Sequence, residues 1–178
     1  VPLRHRKLAF ADLPLPLEHG EVMMKPVVEG RMLQAMNLEP GDEVLEIGTG
    51  SGFITACLAA LARDVTSVER HADFVERVRQ RLANDHVTNV RLECADVFTW
   101  QPGRLFDAIC VTGAVATDPE RFGAWLKPGG RLFVIHGASP VQEALRITRR
   151  GEGFHRESLF ETDVPYLHGA APAPHFAF

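Results

Sequence analysis

The feature that most restricts the fold of this chain is a glycine-rich segment, VLEIGTGSGF, at residues 44–53. Its first four residues are typical of a buried β-strand. Beyond it, apolar residues recur with the spacing of one helical face, at Ile54, Cys57, Leu58 and Leu61. Glycines between a strand and a helix let the backbone turn sharply and let a ligand approach closely. The free N–H groups of the helix N-terminus favour anions and polar groups. The segment therefore predicts a ligand site in an α/β fold.

Strand-like and helix-like patterns alternate along most of the chain, which is typical of parallel βαβ winding. The predicted strands are residues 43–47, 65–69, 90–94, 106–112 and 131–136. Helices are predicted from Pro26, after the glycines, after the second strand and from Asp118, whose following Pro119 suits a first helical position. Residues 144–149 and 154–166 flank a glycine turn and predict an antiparallel hairpin. The expected fold is a Rossmann-like α/β fold: a seven-stranded, mostly parallel sheet with a C-terminal antiparallel hairpin and helices on both faces.

Length and composition fit one domain. The 178 residues lie within the usual range for a single core, and no apolar run approaches the ~20 residues of a membrane span. We expect one domain over residues 1–178. Its predicted parts are an N-terminal segment (1–25), a βα core (26–140), a hairpin (141–168) and a tail (169–178). The chain starts without Met and without a secretory signal, which predicts a fragment and a cytoplasmic location.

Charge and residue spacing disfavour several classes of function. The net charge of −4 lacks the basic excess that phosphate binding requires, so neither a nucleic-acid nor a membrane partner is expected. The histidines and cysteines show no CxxC or HExxH spacing, which predicts no metal site. Cys57, Cys94 and Cys110 are expected to behave as small buried hydrophobes in a reducing compartment. A monomer or weak dimer is expected.

Glycine spacing separates two possible ligand classes. A dinucleotide fingerprint GxGxxG that starts at Gly48 requires Gly or Ala at position 53, where this chain has Phe53. The pattern is instead ExGxGxG, which is similar to the first motif of S-adenosyl-L-methionine-dependent methyltransferases. This resemblance implies S-adenosyl-L-methionine as cofactor and S-adenosyl-L-homocysteine as product. The loop residues then predicted to bind the cofactor are Glu46, Gly48, Thr49, Gly50, Ser51 and Gly52.

Acidic residues follow the next two predicted strands. Glu69 closes the second strand, where a carboxylate can accept hydrogen bonds from both ribose hydroxyls. Asp96 follows the third strand, where an acid can accept from the adenine amino group. Taken alone, Glu69 also fits a solvated strand end and Asp96 a turn, but the glycine loop favours the ligand roles. The other residues predicted to complete the cofactor site are Met23, Arg70, Val97, Thr112 and Gly113.

Longer matches narrow the family. They comprise residues 9–26 (AFADLPLPLEHGEVMMKP), 38–53, 68–71, 106–114 and 126–135. Over these stretches the chain resembles the protein-L-isoaspartate O-methyltransferase family. The resemblance implies a class I methyltransferase fold and methyl transfer to the free carboxylate of isoaspartyl residues in damaged proteins or peptides, as part of protein repair. A carboxylate with a pKa near 4 is already ionised at neutral pH, so the enzyme needs no base. The enzyme then has only to hold the acceptor carboxylate in line with the methyl group of the cofactor.

One segment departs from the family pattern GxTISxP. Residues 20–26 read GEVMMKP, which puts Met24 at the position of the family Ser. A thioether cannot donate a hydrogen bond to an acceptor carboxylate. Lys25, whose ammonium can pair with a carboxylate, is the second candidate catalytic residue. Two alternatives therefore stay open: a methyltransferase for a small molecule or RNA, and a module that binds S-adenosyl-L-methionine without turnover.

Overall fold

The computed structural model describes residues 1–173, so the last five residues of the predicted tail lie outside the described part. The described chain has nine strands. They are β1 (Leu15–Pro16), β2 (Val22–Met23), β3 (Glu43–Ile47), β4 (Asp64–Glu69), β5 (Val90–Cys94), β6 (Phe106–Val115), β7 (Leu126–His136), β8 (Gln142–Arg150) and β9 (Gly153–Thr162). The α-helices are α1 (Pro26–Met36), α2 (Phe53–Leu61) and α3 (Ala72–Asn84). No helix of residues 1–173 combines the length and the apolar character that crossing a bilayer requires.

Seven strands form one sheet in the order β5-β4-β3-β6-β7-β8-β9, and β1 and β2 form a separate antiparallel pair. Strands β3 to β7 run parallel, whereas β8 and β9 are antiparallel to their neighbours. The predicted sheet with its C-terminal hairpin is confirmed. From β3 the chain winds first towards β4 and β5 and then returns to β6 on the other side. Open α/β sheets bind ligands beyond the carboxyl ends of the strands at such a reversal.

Helices α1 and α2 cover one face of the sheet. Met32 and Met36 of α1 and Leu58 of α2 are fully buried in a core cluster that includes Val44 of β3 and Phe133 of β7. The stripe predicted for α2 is confirmed at Ile54 and Leu58, whereas Cys57 is half-buried and Leu61 is exposed. Proline at the first position of α1 fixes a helical φ without losing an intrahelical hydrogen bond.

The other face is covered by a shorter element than predicted. The sequence predicted an α-helix from Asp118, but the structure has a 3₁₀ helix at Arg121–Trp125. Asp118 has a φ of +46°, outside the helical region, and Leu126 already pairs with Phe106 at the beginning of β7. Only residues 119–125 lie between these two points, which leaves room for one short helix. Phe122 of the short helix is nevertheless buried in the core of this face.

The chain after β9 returns to the middle of the sheet. The predicted last strand extended to Tyr166, but β9 ends at Thr162. The backbone N–H of Ala114 at the end of β6 donates to the carbonyl of Pro165 at 2.9 Å, and the N–H of Leu167 donates to the carbonyl of Ala114 at 2.9 Å. Residues 165–168 thereby come to lie beside the carboxyl ends of the central strands.

Candidate functional site

A cleft lies at the carboxyl ends of β3, β4 and β6. Its larger lobe has a volume of about 760 Å³, including space open to solvent, which suits a ligand of cofactor size. A smaller lobe of about 320 Å³ continues from it and shares with it Leu17, Val22, Met24, Gly48, Gly50 and Thr112. The glycine loop, the strand ends, the N-terminal segment and residues 165–168 contribute the walls.

The three glycines of the loop have different roles. Gly48, Gly50 and Gly52 all have a positive φ, at +95°, +51° and +79°. A Cβ on Gly48 would overlap the hydroxyl of Thr112, and a Cβ on Gly52 would lie 2.7 Å from a methyl group of Val78. A Cβ on Gly50 would meet only one leucine side chain, at an ordinary contact distance of 3.5 Å. Packing therefore requires Gly48 and Gly52, whereas Gly50 borders the space for a ligand.

Glu69 is held in place at the end of β4. Its side chain lines the larger lobe, and the residue is only 6% exposed. One carboxylate oxygen accepts the N–H of Gly50 at 3.0 Å, and the other accepts the N–H of His71 at 2.9 Å. Each oxygen keeps a further lone pair. The two main-chain bonds therefore orient the carboxylate and leave it able to accept from two ligand hydroxyls.

Asp96 lines the larger lobe at the end of β5. Its Oδ1 accepts the N–H of Phe98 at 2.9 Å, and its carbonyl accepts the N–H of Trp100 at 2.9 Å. The residue thus forms the turn considered in the sequence analysis and also borders the cleft. The turn places the acid at this edge of the cleft, and its contact with adenine stays a prediction.

Glu46 lies beneath the loop and does not line the cleft. It is fully buried, and its Oε2 accepts from Thr55 at 2.6 Å and from Ser67 at 2.5 Å. It shares with Val44 the face of β3 that α2 covers, because alternate side chains of a strand point to the same side. Burial raises the pKa of Glu46 to about 8, so the carboxyl group is largely neutral at pH 7. The structure places this predicted cofactor ligand as a support of the loop.

The two candidate catalytic residues are placed differently. Met24 is 5% exposed and lines both lobes, whereas Lys25 is exposed at the N-cap of α1 and lines neither. Lys25, Glu46 and Gly52 are the predicted site residues that lie outside the cleft lining. The predicted residues that line it are Met23, Met24, Gly48, Thr49, Gly50, Ser51, Glu69, Arg70, Asp96, Val97, Thr112 and Gly113.

Several lining residues were not predicted. Glu29 lies in the first turn of α1 and lines the smaller lobe, and Pro165 to His168 line the larger lobe. Glu29 precedes Met32 by three positions and Met36 by seven, so a carboxylate on an apolar helical stripe was a signal available in the sequence. For residues 165–168 the sequence held no such signal, because their position depends on the course of the chain after β9.

Three potential metal ligands come together near the rim of the cleft, although they lack a short sequence spacing. Ligand atoms of His19, His71 and Asp73 lie within 4.8 Å of one another, and His19 Nε2 lies 2.9 Å from Asp73 Oδ1. The two imidazoles are stacked with centroids 4.2 Å apart and an interplanar angle of 4°. A metal ion lies in the plane of each imidazole that binds it, and two separated parallel planes share no such point. In this arrangement the two rings cannot bind the same ion.

The reversal of winding at β3, the glycine loop and the carboxylates after β4 and β5 together define a class I methyltransferase domain. Solved structures agree with this fold. A protein-L-isoaspartate O-methyltransferase from Plasmodium falciparum, in complex with S-adenosyl-L-homocysteine, superposes with a TM-score of 0.78 at 22% identity, covering 91% of this chain and 83% of that one. A second protein-L-isoaspartate O-methyltransferase gives a TM-score of 0.77 at 24% identity, over 88% and 52% of the two chains.

The family is shown by sequence comparison. The family model for protein-L-isoaspartate(D-aspartate) O-methyltransferase matches residues 1–167. A protein-L-isoaspartate O-methyltransferase from Methylorubrum extorquens (strain PA1) is 40% identical over 93% of this chain and 73% of its own length. One from Dictyoglomus thermophilum is 36% identical over 89% of this chain and 73% of its own length. The chain therefore belongs to the protein-L-isoaspartate(D-aspartate) O-methyltransferase family. The predicted family, fold class and enzyme class, an S-adenosyl-L-methionine-dependent methyltransferase, are confirmed.

Proposed function

We propose that this protein methylates the free carboxylate of isoaspartyl residues in damaged proteins and peptides, with S-adenosyl-L-methionine as methyl donor. One observation carries the proposal: the family match spans Gly48 and Gly50 of the loop, Glu69 and Asp96, and these four residues line one cleft. Within that cleft, Glu69 is positioned for the ribose hydroxyls and Asp96 for the adenine amino group. Gly50 leaves the space between the loop and Leu17 free.

In this proposal the protein orients the cofactor and the acceptor carboxylate and shields them partly from water. When bound, the cofactor provides a methyl group activated by its sulfonium. Met24, Leu17 and Phe74 add apolar surface to the lining, which reduces the contact of a bound cofactor with water. The acceptor carboxylate is already ionised at neutral pH, so no side chain has to remove a proton.

The biological setting belongs to the same proposal. We propose a role in protein repair in the cytoplasm, as a monomer or weak dimer, without a nucleic-acid partner. The net charge of −4 supports the last point, because binding to a phosphate backbone favours basic surfaces. The free thiols of Cys57, Cys94 and Cys110 are compatible with a reducing compartment. Cys110 is fully buried, as expected, whereas Cys57 is half-buried and Cys94 is exposed on the edge strand β5.

An isoaspartyl peptide is the direct test of the activity. The protein is incubated with methyl-labelled S-adenosyl-L-methionine and either an isoaspartyl peptide or the same peptide with a normal aspartyl residue. We expect label in the isoaspartyl peptide alone, released as methanol by mild base because the product is an ester. Equal labelling of the two peptides, or label that resists base, would contradict the proposal.

A different acceptor is the second candidate, and the observation that favours it is Met24. This side chain occupies both lobes and offers no hydrogen-bond donor, in contrast to the family Ser. A small molecule or RNA that needs no donor at this point would suit such a site. A module that binds the cofactor without turnover is the third candidate, and transfer of label to any acceptor would eliminate it.

The substitution Met24→Ser separates the first two candidates. We expect it to raise kcat/KM for the isoaspartyl peptide by about tenfold, because a hydrogen bond to a charged group contributes about 1.5 kcal/mol or more. Met23→Ser is the matched control, since Met23 is also buried and lines the smaller lobe. If the parent protein shows no activity and Met24→Ser creates it, the natural acceptor of the parent is a different molecule. An equal gain in kcat/KM from Met23→Ser would show that the effect is not specific to position 24.

A further inference from the structure

A buried acid in the smaller lobe has no role in the function described so far. Glu29 is 6% exposed, and within residues 1–173 its carboxylate has no side-chain hydrogen bond or ion pair. Burial raises its pKa to about 7, and the α-amino group of Val1 partly offsets this effect. A buried carboxylate without a partner is costly for a folded protein. Buried ionisable residues without a partner are more frequent at functional sites than elsewhere.

Glu29 and Glu69 line different lobes of the cleft, and the glycine loop lines both lobes. The larger lobe contains Asp96 and Glu69, and the smaller lobe contains Glu29 with Thr49 and Ser51. The two lobes meet at Gly48 and Gly50, which line both. Carboxylates are therefore spaced along one continuous cleft, with the glycine loop between Glu69 and Glu29.

The chemistry of the cofactor supplies a partner for this acid. With adenine at Asp96 and ribose at Glu69, the substituent on the ribose 5′ carbon would reach the smaller lobe past Gly50, which lines both lobes. That substituent ends in an α-carboxylate and an α-ammonium group. The N-terminal end of α2, which follows the loop, favours the carboxylate. The ammonium requires an anion or several acceptors, and Glu29 is the acidic side chain in the lining of this lobe.

We propose that Glu29 binds the α-ammonium group of the methionine moiety of S-adenosyl-L-methionine and of the homocysteine moiety of S-adenosyl-L-homocysteine. The proposal rests on the cofactor orientation given under the proposed function. Pairing with the ammonium would hold Glu29 in its ionised form, and a charge-assisted hydrogen bond in a site of low polarity is stronger than one in water. An acceptor carboxylate in the same place would be repelled.

The test combines a protein change with a ligand change. Binding of S-adenosyl-L-homocysteine and of 5′-methylthioadenosine, which keeps the nucleoside and thioether but lacks the amino-acid group, is measured by calorimetry at slightly alkaline pH. Glu29→Gln is expected to weaken binding of S-adenosyl-L-homocysteine by about 10- to 100-fold, as for loss of a charged hydrogen-bond partner. Binding of 5′-methylthioadenosine should change by less than about twofold. Glu39→Gln, which removes the same charge from an exposed residue that lines neither lobe, is the control and should leave both affinities nearly unchanged.

Several outcomes would overturn the inference. One is an equal loss for the two ligands, which would mean that Glu29 shapes the pocket without contacting the ammonium. Another is unchanged affinity for S-adenosyl-L-homocysteine in a folded Glu29→Gln protein. None of these measurements uses a methyl acceptor, so failure of the isoaspartyl assay with retained ligand binding would count against the proposed function alone.

Discussion

A Gly50→Val protein is expected to fold but to bind S-adenosyl-L-homocysteine about 100-fold more weakly or worse, equivalent to roughly 2.7 kcal/mol. Gly50 has a φ of +51°, which a β-branched residue adopts only with strain. The branched side chain would enter the open space beside Leu17, and the N–H that orients Glu69 would shift with the backbone. Calorimetric titration of the parent and variant proteins measures the difference.

Gly151→Val is the matched control for this substitution. Gly151 lies in the turn between β8 and β9 with a φ of +58°, and no heavy atom lies within 4 Å of the position of its Cβ. The control therefore carries similar backbone strain without occupying the cleft. We expect it to lose some stability and keep its affinity. Normal affinity in a folded Gly50→Val protein, or an equal loss in Gly151→Val, would contradict the assignment of the cleft.

The free energy of unfolding is expected to fall as the pH rises from about 4.5 to about 8. Burial raises the pKa of Glu46 to about 8 and that of Glu29 to about 7, whereas glutamate in an unfolded chain titrates near 4.3. Between these values the native state holds more protons than the unfolded state. Stability is therefore fully present below the unfolded pKa and is lost as the pH rises through the folded pKa. Each group contributes a slope of up to about 1.4 kcal/mol per pH unit.

Replacing Glu46 by Gln should flatten this pH dependence. Gln resembles the neutral carboxyl group and can still accept from Thr55 and Ser67, but it has no proton to lose. Denaturant unfolding between about pH 5 and pH 8 should show the largest difference from the parent at the alkaline end, where the variant is the more stable by several kcal/mol.

Glu43→Gln is a control on the same strand. The hydrogen bond from Lys127 lowers the pKa of Glu43, so this residue is ionised throughout the measured range. Its replacement should shift the whole curve without changing the slope. A parent protein whose stability stays constant or rises between about pH 5 and pH 8, or a Glu46→Gln curve parallel to that of the parent, would show that Glu46 is not held neutral.

The sequence predicted those helices and strands whose buried side is visible in the spacing of neighbouring apolar residues. Two elements were predicted closely: the strand Glu43–Ile47 and the helix containing Phe74, Val78 and Leu82. Their apolar residues form a continuous run in the strand and a regular stripe in the helix, and such patterns indicate which side is buried. The element at Arg121–Trp125 was not predicted closely, because its length is set by the early pairing of Leu126 with Phe106. Pairing between distant strands has no local signature.

The same distinction applies to the site. The glycine loop and Glu69 follow one another closely along the chain, so a motif identified them. The support role of Glu46 depends on which face of β3 meets α2, which the motif alone does not specify. Glu29 reaches the cleft only because α1 packs beside the loop, and Tyr166 only because the chain returns from β9. These contributions became visible once the elements were placed in three dimensions.

The return of the chain from β9 has a consequence for synthesis. Residues 165–168 form a wall of the larger lobe and attach to β6 through Ala114, after the chain has passed along β8 and β9. A nascent chain that has not yet emerged as far as residue 168 has the glycine loop and both carboxylates but an incomplete pocket. The larger lobe is therefore complete only after the chain has been synthesised beyond β9.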